Sequence, residues 1–206
     1  MQIMTRRALG LAGLTLLVAG SAVWAQQPQP GRIRGQIEKA DGAMLSLKLR
    51  DGGTMNVKVA DDARVAALVK ASLGDIKNDS YIGIAGMPQP DGSIKAFSVH
   101  LFLPAQRGVV ADRHTPWDAK PGSTMTNAYV ANMVAEKSGE TLTVKYKDGE
   151  KKVLVTPDTA ISAVAPGNKS ELTAGTQIII MASEKQPDGS ALAKVIYVGR
   201  NITPAM

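Results

Sequence analysis

Hydrophobic and polar residues alternate in short runs along the chain, and the runs occur in two sets. Residues 45–50 alternate leucine with polar residues and run into an Asp-Gly pair at 51–52. Residues 142–147 show the same alternation before Asp148-Gly149, 97 positions later. Alternation with a period of two is typical of a half-buried antiparallel strand, and Asp-Gly is typical of a hairpin turn.

The two sets form an internal repeat. Gln89–Ser93 recurs letter for letter as Gln186–Ser190, again 97 positions later. Between these anchors the offset is 96, because one residue is gained near Gly53. A repeat of roughly 95 residues is too long for a solenoid unit and has the size of a small domain, so it indicates a duplication.

Each copy is predicted to form five strands. A helical spacing of Val65, Leu68 and Val69 predicts a short helix within residues 62–76, and residues 158–172 are predicted to be helical or irregular. This order favours an all-β fold with one short helix per repeat, built as two tandem five-stranded OB-like antiparallel barrels. An open sandwich, or a small barrel of another topology, is the alternative. The predicted strands are Arg32–Ala40, Met44–Arg50, Thr54–Val59, Ser80–Met87 and Ser93–Phe102 in copy one, and Asn127–Ala135, Thr141–Lys147, Lys151–Val155, Thr176–Ser183 and Ala191–Arg200 in copy two.

The first 25 residues have the pattern of an export signal. Arg6 and Arg7 precede an apolar run from Ala8 to Gly20, and small residues stand before Gln26. The run is shorter than the roughly 20 residues that span a bilayer, so we expect a cleaved signal peptide and a periplasmic protein, with an uncleaved anchor as the alternative. The adjacent arginines also resemble a twin-arginine signal, so the export route stays open. The predicted segments are a signal peptide (1–25), a disordered start (26–31), barrel repeat 1 (32–102), a structured linker (103–126), barrel repeat 2 (127–200) and a tail (201–206).

Composition narrows the classes of function. The formal net charge is +6, and it falls to +4 without the two signal-peptide arginines; the charges are scattered singly, which disfavours nucleic-acid binding. The chain has no cysteine, so neither disulfides nor thiolate chemistry can operate. Only His100 and His114 are available as imidazole bases, and the common hydrolase, phosphate-loop and zinc-protease motifs are absent from the sequence. We therefore expect a non-enzymatic protein.

The linker 103–126 carries the residues that suggest a binding site: Arg113, His114, Trp117 and Asp118. A flexible tether would be rich in glycine and serine and would not hold such side chains, whereas functional residues concentrate in structured connections. We expect Trp117 to be buried between the domains, with Asp118 or Arg113 hydrogen-bonded at its edge.

The stretch Arg113–Asp118, followed by Pro121–Asn127, resembles a family of exported bacterial proteins that contain a domain of unknown function and are often labelled metal transporter permeases. The paired Gln-Pro-Asp-Gly turns fit that family too, so the resemblance covers residues 31–200. It implies small β-barrels and an exported location, and it assigns no activity to any residue. A permease would need several membrane spans, and no apolar stretch after residue 25 is long enough.

The sequence also suggests a soft-metal site with His114, Met125 and His100 as ligands. Imidazole and thioether suit Cu(I), and the face of Trp117 can lie against such an ion. The arrangement resembles small periplasmic copper chaperones, which are OB-like barrels that use His, Met and Trp. Those proteins have two methionines close together, whereas Met133 is the next one after Met125. The alternative is that these side chains only fill apolar gaps or hydrogen-bond to the backbone.

Together these patterns predict a periplasmic, non-enzymatic binding or envelope-interaction protein that does not span the membrane after processing. Its partner would be an unknown protein or small ligand of the cell envelope. A copper carrier that uses the 100–133 segment is the alternative function.

Overall fold

A computed structural model describes residues 32–136 and 139–206 of the protein. The predicted signal peptide (1–25) and start (26–31) lie outside the described residues. Within the described ranges the chain forms twelve strands and three single 3₁₀ turns, at Leu73–Asp75, Pro104–Gln106 and Lys169–Glu171. The strands are β1 (Ile33–Asp41), β2 (Met44–Leu49), β3 (Thr54–Lys70), β4 (Tyr81–Pro88), β5 (Ile94–Leu101), β6 (Arg113–Pro116), β7 (Thr124–Glu136), β8 (Gly139–Tyr146), β9 (Gly149–Val155), β10 (Ala160–Pro166), β11 (Gln177–Lys185) and β12 (Ala191–Gly199).

All ten predicted strands are present, and nine of them agree with the structure to within three residues at each end; the exception is β3, which was predicted to end at Val59 and continues to Lys70. The two copies of the Gln-Pro-Asp-Gly-Ser turn also have the same geometry. Asp91 accepts a hydrogen bond from the backbone N–H of Ser93 at 3.0 Å, and Asp188 accepts one from that of Ser190 at 2.9 Å. No helix among the described residues combines the length and the apolar character that a membrane crossing requires.

Strand β3 continues through the segment for which the sequence predicts a helix. Residues 64–68 pair with β12 and residues 66–70 pair with β10, so this half of β3 has a neighbour on both edges. Its two faces are also both covered, because Ala67 belongs to one apolar core and Leu68 to another. Burial of both faces removes the polar positions that would reveal a period of two. The predicted helix at 62–76 is therefore wrong, and in copy two the range 158–172 contains β10 and the 3₁₀ turn Lys169–Glu171.

Strands β1, β2, β3, β12 and β11 form a closed five-stranded barrel. Neighbouring strands are antiparallel except for β3 and β12, which run parallel and close the ring. Three of these strands come from copy one and two come from copy two. The interior is filled from both copies, for example by Leu47 and Val57 from the first and by Ile178 and Ile196 from the second.

Strands β4, β5, β7, β8 and β9 pair in the corresponding order, and we call them the second ring. A short parallel contact joins β5 to β9, through Ile94 with Val153 and Lys95 with Leu154. Here copy one provides two strands and copy two provides three. The two copies thus exchange their last hairpins, so the prediction of tandem barrels, one from each copy, is not confirmed. The protein is an all-β fold with a closed five-stranded barrel and further strands.

Strand β10 joins the barrel to the second ring. It pairs antiparallel with the end of β3 and parallel with β5. In the β3–β10 pairing Leu68 lies opposite Val164, and the two residues are 96 positions apart, which is the offset of the repeat in this region. Residues in equivalent places of the two copies therefore meet at this point, and the pairing is close to two-fold symmetric.

A third apolar group lies between the barrel and the second ring, and we call it the central cluster. It consists of Leu68, Ala85, Trp117, Met125, Val164, Ile179, Tyr197 and Met206. These residues come from both copies, from the linker and from the C-terminal tail. The linker contains β6 and the start of β7, and it places Trp117 in this cluster with 8% of its surface exposed. The expected burial of Trp117 is confirmed.

Candidate functional site: a cavity between the two rings

A cavity of about 160 Å³ lies beside the central cluster, and we call it the central cavity. Met125, Met181, Phe102 and Val195 give it an apolar wall. Polar side chains from four separate segments share the same lining: Arg32, His100, Arg113, Trp117, Asn127 and Tyr197. The residues therefore converge from both copies and the linker, which is how small-molecule sites are commonly built.

The guanidinium groups of two arginines lie over the indole ring of Trp117. The guanidinium of Arg32 lies 3.8 Å from the centre of the indole ring, and that of Arg34 lies 5.8 Å from it. At these distances the cations are attracted by the electron-rich face of the ring. The turn that carries Trp117 is held by its backbone N–H, which donates to the carbonyl of Ser123 at 2.8 Å.

Asp118 holds both arginines through hydrogen bonds. Its carboxylate accepts hydrogen bonds from the backbone N–H of Arg32 at 3.0 Å and from the guanidinium of Arg34 at 2.7 Å. Burial acts to raise the pKa of Asp118, but the bonds and charges of Arg34 and Arg32 outweigh it and lower the pKa. Asp118 thus stays ionised, and it positions the arginines without itself lining the cavity.

His100 is fully enclosed on the cavity wall. Its side chain stands beside Gly83 of the neighbouring strand, where a Cβ would overlap Nε2 and Cε1 of the imidazole. The ring meets Phe102 edge-on at 4.8 Å between centroids. Only 4% of the residue is exposed, and burial lowers the pKa of His100 to about 4. The imidazole is therefore neutral near pH 7, because charging it would require desolvating a cation.

Three buried side-chain nitrogen atoms have no hydrogen-bond partner among the described residues, where the fourth buried side-chain atom without one is the hydroxyl oxygen of Thr124, outside the cavity lining. They are Nε of Arg32, Nδ1 of His100 and Nε1 of Trp117. All three belong to residues that line the central cavity. The Arg32 and Trp117 atoms are donors only, whereas the role of Nδ1 in His100 depends on the tautomer. Buried donors are rarely left unpaired, so their concentration at one cavity marks it as the candidate site.

His114 does not belong to this cavity. In the β6–β7 pairing His114 lies opposite Thr126, and its Nδ1 is 2.8 Å from the Thr126 hydroxyl. Thr115 lies opposite Met125, and both of these residues line the cavity. Successive side chains of a strand point to opposite faces, so His114 and Met125 lie on different sides of the sheet. Burial, followed by the charge of Lys151, lowers the pKa of His114.

The predicted site residues are therefore divided. Four of them line the cavity: His100, Arg113, Trp117 and Met125. Asp118 does not line it but hydrogen-bonds to Arg34, and His114 contacts Thr126 outside the cavity. The proposed metal ligands His114 and Met125 are not brought together. Within residues 32–136 and 139–206, no three His, Cys, Asp or Glu side chains are grouped so that they could hold a metal ion.

Sequence reasoning missed Arg32, Met181 and Tyr197. Arg32 directly precedes β1 and no sequence motif surrounds it, and the other two lie on the hairpin that copy two contributes to the barrel. Their alternating pattern predicts strands but does not say which ring they close. Only the exchange of hairpins brings them to residues 100–127.

A larger groove of about 680 Å³ lies elsewhere, along the 3₁₀ turn after β3, the start of β10 and the C-terminal tail. Two buried hydroxyl residues, Ser98 and Thr159, line it, and the hydroxyl of Thr159 donates to the carbonyl of Ala96 at 2.9 Å. None of the three unpartnered nitrogens belongs to its lining. The groove is the larger of the two candidate binding sites, but the unpartnered nitrogens belong to the lining of the central cavity, which makes the cavity the better candidate.

Comparison of the chain with protein-family models, with curated proteins and with solved structures gave no match.

Proposed function

We propose that the protein is an exported, periplasmic binding protein, non-enzymatic and built from two OB-like rings, and that it holds a small ligand in the central cavity. The observation that carries this proposal is that three residues lining one cavity, Arg32, His100 and Trp117, each have a buried nitrogen without a hydrogen-bond partner among the described residues. The OB-like description rests on the corresponding strand order of the two rings, each closed by one parallel pair.

Energetics support a ligand. Leaving a buried donor unsatisfied costs about 1–3 kcal/mol, so the two certain donors, on Arg32 and Trp117, reduce the stability of a domain of this size considerably. A ligand that accepts their hydrogen bonds recovers that energy when it binds. The volume of about 160 Å³ is close to that of an engineered cavity of about 150 Å³ that binds benzene, so the ligand is of that size.

Binding is favoured over catalysis by the chemistry of the lining. No Asp or Glu is among the described residues that line the cavity. His100 is the imidazole at hand, and with a pKa of about 4 it is a weak general base near neutral pH. The donors are suited to holding a ligand in one orientation.

The proposal is tested with benzoate and benzamide, two probes of matched size, by isothermal titration calorimetry. We expect saturable one-to-one binding of at least one of them. Val195→Trp, which fills the apolar wall, should abolish the binding, whereas Val134→Trp on an exposed position of β7 should leave it unchanged. Circular dichroism verifies that both variants are folded. Absence of binding by both probes, or binding that Val195→Trp leaves intact, would contradict the proposal.

The exported location rests on residues 1–25 and is tested separately. We expect the intact mass of the protein from a periplasmic extract to correspond to a chain that begins at Gln26. A chain that still contains Met1–Ala25, or one found only in the cytoplasm, would contradict export with cleavage.

Copper binding is a second candidate, because the cavity brings two methionines, Met125 and Met181, to the same lining as His100. Neutral imidazole and thioether are suitable Cu(I) ligands. The guanidinium groups of Arg32 and Arg113 in the same lining oppose a cation, which is why we rank this function second. Competition of the protein with a Cu(I) chelator tests it: binding lost in Met181→Leu would support it, and binding unaffected by Met181→Leu and His100→Gln would exclude this site.

A further inference from the structure

The central cavity carries an excess of positive charge. Arg32 and Arg113 line it, and Arg34 lies 5.8 Å from the centre of the Trp117 ring. The ion pairs of these arginines go to the carboxylate of Asp118, and Arg34 also donates its Nε–H to the main-chain oxygen of Met206 at 2.8 Å. Asp118 is 2.7 Å from Arg34 and 3.6 Å from Arg32. Within the described residues Arg113 makes no ion pair.

The arginines are close enough to repel each other. Burial is the main cause that lowers the pKa of Arg32, and the charges of Arg34 and Arg113 lower it further, against the opposite effect of Asp118. An additional negative group near Arg32 and Arg113 would relieve this repulsion. The protein itself supplies none from the described lining of the cavity.

The unpartnered nitrogen atoms also favour a negatively charged group that accepts hydrogen bonds. The Nε–H of Arg32 and the Nε1–H of Trp117 can only donate, so the ligand must present acceptors to them. An ionised carboxylate is an acceptor-only group with two oxygens, and its hydrogen bonds to a guanidinium are stronger than those of a neutral acceptor. The apolar part of the lining, with Met125, Met181 and Phe102, suits an apolar body.

We infer that the ligand of the central cavity is a small organic anion, a monocarboxylate whose apolar body is about the size of a benzene ring. This inference rests on the proposed function and adds the charge and shape of the ligand to it. The carboxylate lies toward Arg32, Arg113 and Trp117, and the apolar body lies against the methionines and Phe102.

The test compares benzoate with benzamide, which have nearly the same shape and differ in charge. It uses the whole chain with Trp24→Phe, so that Trp117 is the single tryptophan, and it follows both calorimetry and Trp117 emission. We expect benzoate to bind at least tenfold more tightly than benzamide. Butanoate against butanamide repeats the comparison with an aliphatic body.

The matched variants are Arg113→Gln, at the cavity, and Lys48→Gln, at an exposed position of β2. Both remove one positive charge from the protein. Arg113→Gln should reduce the benzoate preference at least fivefold, and Lys48→Gln should preserve it. An equal loss in both variants would mean that only the overall charge matters and would overturn the inference.

The outcomes separate this inference from the proposed function. If benzamide binds as tightly as benzoate, and Val195→Trp abolishes both, the cavity is a binding site but its ligand is not an anion. If neither probe binds, the proposed function fails and the inference fails with it. If benzoate binds tightly but Arg113→Gln leaves its affinity unchanged, the anion lies elsewhere and the inference is overturned.

Discussion

The imidazole of His100 occupies the space that a side chain at Gly83 would fill. The two residues are opposite each other on the antiparallel strands β5 and β4. At the corresponding pair of the other ring, Ile179 lies opposite Tyr197, so that position carries a side chain. Glycine at 83 is therefore what allows a histidine to lie flat on the wall of the cavity.

Gly83→Ala should destabilise the protein by about 2 kcal/mol, because the new methyl group would overlap the ring of His100. Urea unfolding measures this, with Gly74→Ala as the control, since the nearest neighbour of a Cβ there is Ser72 Oγ at 3.7 Å. Gly83→Ala combined with His100→Ala should destabilise by less than the sum of the two single changes. Additive effects would show that the two residues do not compete for space.

The protein should lose stability on acidification because of His100. The pKa of His100 is about 4 in the folded protein and near 6.5 in the unfolded chain, so the unfolded state binds a proton first as the pH falls. A destabilisation of about 2–3 kcal/mol should develop between pH 6.5 and pH 4, and none should arise from this group above pH 6.5. The measurement compares unfolding at pH 7.5 and pH 4.5.

In His100→Gln the difference between the two pH values should shrink by that amount. His114→Gln serves as the control, because His114 is only partly buried, although burial lowers its pKa as well. An equally steep pH dependence in His100→Gln and in the unmodified protein would contradict the assignment.

Trp117→Ala should lower stability by about 3–5 kcal/mol, because it empties the centre of the central cluster and removes the ring on which Arg32 lies. In the Trp24→Phe background, Trp117 should emit at short wavelength and resist quenching by acrylamide. Val109→Ala, at a position of the same linker that is 72% exposed, should have no measurable effect. Emission typical of a water-exposed indole would refute the buried position.

Cutting the linker should not separate the protein into two parts, because each ring needs strands from both copies. A specific protease site inserted at the exposed Gly108 leaves residues 1–108 and 109–206 as the two fragments. We expect them to elute together from a size-exclusion column in buffer and to separate in urea. Two independently folded fragments in buffer would instead support tandem barrels.

The sequence predicts the strands of this fold well and their connections poorly. Strands such as Met44–Leu49 have one polar face, so their period of two is visible. The end of β3 is buried on both faces, and Val65, Leu68 and Val69 therefore imitate a helix. The sequence does not indicate the exchange of hairpins. The last hairpins of both copies have the same alternation of apolar and polar residues, so either hairpin could pair with the strands of either ring.

The part of the candidate site that the sequence predicted consists of linker residues and of His100 on β5, which was named as a metal ligand. Arg113, Trp117 and Asp118 were found because polar and aromatic residues concentrate in a linker that a tether would not need. The separation of His114 from Met125 follows from the pairing of β6 with β7, which the sequence did not predict. Arg32, Met181 and Tyr197 come from other strands, so their role became visible only with the fold.

The meeting of Leu68 with Val164 has a consequence for the origin of this architecture. Two chains, each holding one copy of the repeat, would have the strands needed to build both rings by giving their last hairpins to each other. The contact at the axis would then join identical residues of two subunits. Fusing the two genes removes the dependence of assembly on concentration, and it frees the two halves to diverge. One half can then carry Gly83 and His100 while the other keeps Ile179 and Tyr197, so a symmetric scaffold acquires a single asymmetric site.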